Sequence, residues 1–280
     1  MPASQMINIG CGSHYHPDWI NLDVSPADPQ VMAVDINHGL PFSSKSVAVC
    51  YSSHVLEHLD KVGARHLIAE CFRVLDHGGA IRLVLPDLEA LVREYLRILD
   101  ATTSDDQARE LDYDWLMLEL YDQVTRNSPG GEMGHFLLSL DEKDRSFVRS
   151  RIGVEAENFW SPRQGLPGKH RLNVVMSRIS WGRLLKVTRE RLAGWLVYLV
   201  AGKAAFQSFR KGIFRDSGEV HQWMYDRYSL RRLLGQAGFV NVKICAADES
   251  QIPEYEKYSL DVLNGVARKP DSLYIEAFKP

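Results

Sequence analysis

Gly10-Cys11-Gly12, at the end of the apolar run Met6-Ile7-Asn8-Ile9, is the first place in the chain where residue types and spacing suggest chemistry. Two glycines one residue apart let a chain turn sharply off a strand and let a ligand approach bare backbone. A second apolar piece, Trp19-Ile20-Asn21-Leu22, ends in Asp23, whose carboxylate can accept from both hydroxyls of a ribose. Strand, glycine turn, strand and acid make half of a nucleotide site. A dinucleotide fingerprint would need a third glycine opening a full helix, and Pro17 stands where that helix would run. No Gly-Lys-Ser/Thr sequence is present, so a triphosphate cradle is absent.

The imidazoles are the next candidates. His54-Val55-Leu56-Glu57-His58 matches the inverted zinc-protease pattern His-x-x-Glu-His. On a helix it would set both histidines on one face with Glu57 beside them. It sits at a strand-to-helix junction and no strong third ligand is apparent, so no metal is expected: His54 is read as lying near the bound nucleotide, with Glu57 and His58 opening a helix. His14, His16 and Asp18 also look metal-like, but Pro17 fixes a turn that splays them, and a loop beside solvent or nucleotide is expected. In Glu219-Val220-His221-Gln222-Trp223-Met224-Tyr225-Asp226-Arg227-Tyr228, His221 is the first candidate to deprotonate a substrate hydroxyl, because imidazole titrates near neutrality. His135, after the turn Ser128-Pro129-Gly130-Gly131, is the second. A capping and packing cluster around His221 remains an equal alternative.

The elements that must position these groups read as strands alternating with helices. Val31–Ile36, Val47–Ser53 and Ala80–Leu85 are strand candidates, and 61–77 has helical spacing ending at Gly78-Gly79. Asp87 suits the N-cap of a helix over Leu88–Leu99. From Asp100 to about Gly218 the alternation stops, and helical patterns take over at Leu111–Thr125, Asp141–Ile152 and Ser180–Phe214, with breaks at 128–131 and 161–168. A helix over Tyr228–Ala237 with Ser229 as cap follows, then strands at Phe239–Ile244 and Ser272–Phe278. Gln251–Val266 between those strands is mixed, with turns at Pro253 and Gly265. The expectation is an α/β, doubly wound, Rossmann-like and mostly parallel sheet with its ligand at the carboxyl ends of the strands. Residues 1–100 and 219–280 would form that domain, and 101–218 a helical insertion capping the pocket and selecting the substrate.

The order Ile-Gly-Cys-Gly (9–12), Asn-Leu-Asp (21–23), Val-Asp-Ile (34–36), Leu-Pro-Phe (40–42), Ser-Ser-His-Val-Leu-Glu-His (52–58) and Gly-Gly-Ala-Ile-Arg-Leu-Val-Leu-Pro-Asp (78–87) resembles a class I S-adenosylmethionine-dependent methyltransferase of the type 11-like group. The resemblance runs continuously over roughly residues 5 to 100, and the stretch after Trp223 fits the end of such a domain, with its last strands antiparallel at the sheet edge. It implies that Gly10, Cys11 and Gly12 line the methionine part of S-adenosylmethionine, and that Asp23 holds the ribose. Asp35 would accept from the adenine amino group with Ile36 against the ring, and Ser52, Ser53 and His54 would border the sulfonium. S-adenosylhomocysteine would be the product. The chain departs from the family after Gly12, where His14-Tyr15-His16-Pro17-Asp18 replaces the usual helix.

Composition sets the outer limits. The chain has 280 residues, 45% of them hydrophobic, and a net charge of −3, which gives no sign of a nucleic-acid partner. Cys11, Cys50, Cys71 and Cys245 are scattered, as expected for reduced thiols in a cytoplasmic protein. Neither a basic-then-apolar leader, an internal repeat nor a low-complexity tract is evident. The segment Arg178–Arg215 holds nine Lys/Arg against the single acid Glu190, around the apolar stretch Leu192–Gly202. That stretch is too short to span a bilayer. A cap helix with a solvated basic face is expected, with peripheral contact to an anionic membrane or to a phosphorylated substrate as the alternatives. The reading is a methyltransferase acting on an oxygen of a small molecule, such as a saccharide or secondary metabolite. The alternatives are a membrane-associated enzyme for lipid-linked saccharide and a non-catalytic nucleotide-binding module. The oligomeric state is not legible.

Overall fold

Seven strands form one sheet in the computed structural model, which describes residues 5–26, 28–101, 107–161 and 181–280. Five run parallel: β1 (Gln5–Ile9), β2 (Ile20–Asp23), β3 (Met32–Ala33), β4 (Val47–Ser53) and β5 (Leu75–Pro86). After β6 (Val240–Cys245), a two-residue Asn264-Gly265 turn joins the hairpin strands β7 (Val262–Leu263) and β8 (Val266–Ala267). Asn264 and Gly265 have φ of 53° and 77°, the left-handed pair that a tight hairpin needs. The C-terminal strand β9 (Ser272–Phe278) enters antiparallel between β5 and β6, giving the order β3-β2-β1-β4-β5-β9-β6. The chain winds outward from β1 to β3 and then returns to β4. That reversal opens a crevice at the carboxyl ends of β1 and β4, where a ligand is expected.

One face of the sheet buries Ile7, Ile9, Leu22, Cys50, Ile81 and Leu83 against α1 (Lys61–Val74) and α8 (Arg227–Gln236). The other face carries Trp19, Tyr51, Val84 and Tyr274 under the aromatic loop of Ile252, Tyr255 and Tyr258. Alternation along β4 accomplishes this, with Val49 and Tyr51 on one side and Cys50 on the other.

Several elements differ from the sequence expectation for local reasons. The helix expected over 61–77 stops at Val74, because Leu75 pairs with Val47 and is wholly buried, so the chain passes straight into β5. Asp76-His77-Gly78-Gly79 therefore lies within the strand and not at a helix cap. Only Met32 and Ala33 of the expected 31–36 strand pair; the Asp35 carboxylate then takes the Asn37 amide at 3.0 Å and turns the chain. Helix α8 is capped by Asp226, while Ser229 supplies the reciprocal half of a capping box. Asp87 does cap α2 (Leu88–Ala101), accepting from the Glu89 and Ala90 amides at 2.9 and 3.2 Å.

The helical insertion contains α3 (Gln107–Thr125), α4 (Gly131–Ser139), α5 (Ser146–Ile152), α6 (Val154–Trp160) and α7 (Trp181–Arg215). A separate small core of Trp115, Leu137, Leu140, Val148 and Ala156 holds the first of these together. The helix expected over 141–152 is divided into a short turn at Glu142–Asp144 and α5. In α7, Gly202 adopts φ 79° and ψ −174°, and two arms fold back on each other. The rings of Tyr198 and Phe206 meet edge-on at 6.0 Å, and Gly194 faces Phe206 and Phe209. Most of the break expected at 161–168, and the start of the basic segment at Arg178, lie outside the described residues.

Candidate active site

Gly10 and Gly12 both take left-handed backbone, with φ of 67° and 56°. A Cβ at Gly10 would stand 2.3 Å from Val55 Cγ2, so this glycine lets the 54–58 segment close down on the turn. At Gly12 a Cβ would meet nothing within 4 Å, leaving bare backbone open to a ligand. The Gly12 amide donates to Asp23 Oδ2 at 2.9 Å and the Ser25 amide to Oδ1 at 2.8 Å, which fixes the carboxylate at the tip of β2. Each oxygen keeps a further lone pair for a ligand hydroxyl. Burial and the neighbouring Asp23 push the Cys11 thiol up to about 11, so it stays protonated and inert.

Ser52 and Ser53 end β4, and the Ser52 hydroxyl donates to Ile9 O at 3.3 Å. His54 follows with φ 54°, a left-handed conformation uncommon outside glycine. Thus Gly10, Cys11, Gly12, Asp23, Ser52, Ser53 and His54 gather at adjoining strand ends. Asp35 and Ile36 follow the outer strand β3, with Asp35 exposed and Ile36 half-buried against the core.

Glu57 and His58 do not open a helix. They occupy a single tight turn, Leu56–His58, and α1 begins later, where Asp60 accepts from the Val62 and Gly63 amides. The 220–225 segment is laid across this turn from far along the chain. The Gln222 and Trp223 amides donate to Glu57 O at 2.7 and 3.2 Å, and the His221 amide donates to Gln123 O at 2.9 Å. The rings of His58 and His221 consequently meet edge-on at 4.7 Å. His54 Nδ1 lies 3.3 Å from Glu57 Oε1, and its Nε2 lies 2.8 Å from Ser272 Oγ.

Burial dominates the electrostatics here. It pushes the Glu57 carboxyl up to about 8. Burial, joined by His58, Arg126 and Lys269, lowers His221 to about 3. His58 and, more strongly, His54 are also lowered by burial. Behind His221, a cavity of about 10 Å³ is bordered by Asp87, Glu119, Arg151 and Asp271. Burial raises Asp271 to about 7.

Other expected groups lie apart from this cluster. His135 is exposed on α4. His14 Nε2 is 2.9 Å from Ser259 O, whereas His16 packs edge-on against Tyr258 and its Nδ1 accepts from the Asp18 amide at 3.2 Å. A large groove of about 1430 Å³ lies in the helical insertion, between the arms of α7 and the 127–129 turn. Its lining does not include the glycine turn, so its size alone does not make it the site of chemistry. Glu119, Arg151 and Asp271 were not singled out from the sequence, since nothing local distinguishes them from surface charges.

Residues 7–83 match the family model described as "Methyltransferase domain". Over those residues the chain carries a methyltransferase domain. Among solved structures, the methyltransferase is similar to an S-adenosylmethionine-dependent methyltransferase from Archaeoglobus fulgidus, at 12% identity over 99% of this chain and 87% of that one, with a TM-score of 0.39. It is also similar to Haemonchus contortus phosphoethanolamine N-methyltransferase 2 in complex with S-adenosyl-L-methionine, at 10% identity over 100% of this chain and 50% of that one, TM-score 0.34. A Thermotoga maritima S-adenosylmethionine-dependent methyltransferase aligns with 36% of this chain and 54% of its own, at 17% identity and TM-score 0.27. The methyltransferase thus spans about half the length of the latter two. No curated protein matches it. The cofactor fits the residues present: Gly12 leaves open backbone and Asp23 presents a fixed carboxylate at the neighbouring strand end.

Proposed function

We propose that the methyltransferase methylates an oxygen of a small molecule, a saccharide or secondary metabolite, at the carboxyl ends of β1 and β4. The observation that supports this most is the convergence of Glu57, His58 and His221 beside the segment that Gly10 packs against. Bound S-adenosylmethionine would supply a methyl group already activated on a sulfonium. On this reading Gly10, Cys11 and Gly12 face its methionine part and Asp23 takes the ribose hydroxyls. Asp35 and Ile36 meet the adenine, and Ser52, Ser53 and His54 border the reacting centre. His221 is the first candidate to act on the acceptor hydroxyl, and His135 the second. The protein otherwise contributes alignment and exclusion of water, which account for much of the rate in such a displacement. The cap, residues 101–218, selects the acceptor, because inserts at strand ends carry specificity.

Calorimetric titration with S-adenosylmethionine and S-adenosylhomocysteine tests the placement. Asp23→Ala is expected to weaken both by about 1–3 kcal/mol, roughly 5- to 150-fold, by leaving the ribose hydroxyls without their acceptor. Undiminished binding in both Asp23→Ala and Asp35→Ala would show that the pocket lies elsewhere.

A second reading, action on a lipid-linked saccharide at a membrane surface, is favoured by the α7 hairpin. Trp195, Leu196, Leu199 and Val200 are exposed there beside Arg191, Lys203 and Arg210. Among the described residues no helix is long and apolar enough to cross a membrane, so the contact would be peripheral. On this reading the protein sediments with anionic vesicles at low salt, and Leu199→Asp or high salt releases it. Failure to sediment at low salt would remove it.

A further inference from the structure

We infer that Glu57, His58 and His221 form a site for one divalent transition-metal ion of the zinc type, held by two imidazoles and a carboxylate with one position open to the acceptor. One ligand atom from each residue lies within 4.8 Å of the other two. Tetrahedral ligands at zinc distances of about 2.0–2.2 Å stand about 3.3–3.6 Å apart, so a closure of roughly an ångström places all three on an ion.

The second observation is independent of that spacing. Glu57 is 1% exposed, and neither of its carboxylate oxygens meets a hydrogen-bond donor in good geometry, although the His54 ring stands close to one of them. Buried carboxylates are almost always partnered, because leaving one bare forfeits its solvation without return. A cation between Glu57 and the two imidazoles supplies that partner. His54 completes the arrangement, with one nitrogen toward Glu57 and the other on the Ser272 hydroxyl. Ligand carboxylates are commonly oriented by such a neighbour.

The ligand types select the metal class. Imidazole suits zinc, cobalt and similar ions, whereas magnesium and calcium prefer all-oxygen sets. Three protein ligands with an open fourth position is the arrangement of catalytic zinc, while structural sites are closed. The backbone keeps the two ligand segments in register, since the Gln222 and Trp223 amides both donate to Glu57 O.

The purpose given to the ion rests on the acceptor being a hydroxyl compound, as proposed above; the binding itself does not. A hydroxyl held at the open position would lose its proton to water, the O–H electron pair remaining on oxygen, so that His221 acts on the acceptor through the ion and not as the base itself. A bound divalent ion brings such ionisation toward neutral pH. That oxygen is then the atom that forms the new C–O bond, as the sulfur–methyl bond breaks with its electron pair left on sulfur.

The test uses the full chain, stripped with a chelator and titrated with Co²⁺ and then Zn²⁺. One equivalent of Co²⁺ is expected to bind with visible absorption of low-coordinate cobalt, to be displaced by Zn²⁺, and to raise the thermal midpoint. Glu57→Gln and His221→Asn should each weaken Co²⁺ binding by more than 100-fold, and His54→Ala by about 10- to 100-fold. His66→Ala, on the exposed side of α1, should change nothing. Absence of stoichiometric binding, or binding undiminished in folded His221→Asn, would overturn the site. Co²⁺ binding without S-adenosylhomocysteine binding would uphold the site and remove its link to methyl transfer. The reverse result would overturn the site alone.

Discussion

Replacing Arg82 with leucine is expected to lower the free energy of unfolding by about 3–5 kcal/mol, the cost of stranding buried charges. Arg82 is wholly buried in β5, and its guanidinium meets Asp261 Oδ2 and Glu276 Oε1, each at 2.6 Å. Its Nη1 also donates to Glu249 O at 2.9 Å, and Nη2 to Ala247 O at 3.2 Å. The carboxylates have their own partners: the Tyr51 and Tyr255 hydroxyls donate to Asp261 at 2.6 and 2.9 Å, and the Gln251 amide donates to Glu276 at 2.8 Å. One side chain therefore ties β5, β9 and the 246–261 loop over the aromatic face of the sheet. Without it, two buried acids lose the guanidinium that both of them bond. Equilibrium urea unfolding would read the loss as a lower midpoint. Arg82→Lys should fall between the two, since a lone ammonium cannot span both carboxylates as a planar fork does. A leucine variant within about 1 kcal/mol of the parent would mean that the network is worth no more than a surface ion pair.

Gly10→Ala is expected to destabilise the protein by about 2–4 kcal/mol and to weaken S-adenosylhomocysteine binding in parallel. Two effects combine. The new methyl group collides with Val55 Cγ2 at 2.3 Å, and overpacking of this kind costs about 1–3 kcal/mol. The residue must also hold φ 67°, which an L side chain tolerates only at about a further 1 kcal/mol. Val55→Ala in the same chain should recover the first part and leave the second. Because Val55 follows His54 directly and leads into Glu57, displacing it also moves the 54–58 segment, so cofactor affinity and stability should fall together. Gly10→Ala with parental stability would show that Val55 moves aside at no cost and that this contact does not set the site.

Much of the fold was legible because it is written in local patterns. The apolar runs of β1, β4 and β9 are short, buried and bounded by glycine, serine or aspartate. Asp87 announced its helix by position alone. Where the expectation failed, a tertiary contact outweighed a local one. Helical periodicity continued past Val74, yet pairing of Leu75 with Val47 ended the helix there. Val31 to Ile36 looked like a full strand, but an edge position and the Asp35 turn left only two paired residues.

The candidate site divides along the same line. The glycine turn, Asp23 and the serines at the end of β4 are determined by the sequence itself, since each lies at the end of a strand that its own residues specify. His-x-x-Glu-His was visible too, but it suggested a helix that does not form and offered no third ligand. Only the tertiary structure brings His221 to Glu57 and His58, from 163 residues beyond His58. It does so through backbone hydrogen bonds to Glu57 O, which any residue except proline could make and which therefore leave almost no trace in residue identity. Spacing along a chain reports what one element can present; what two distant segments present together is decided by how they pack.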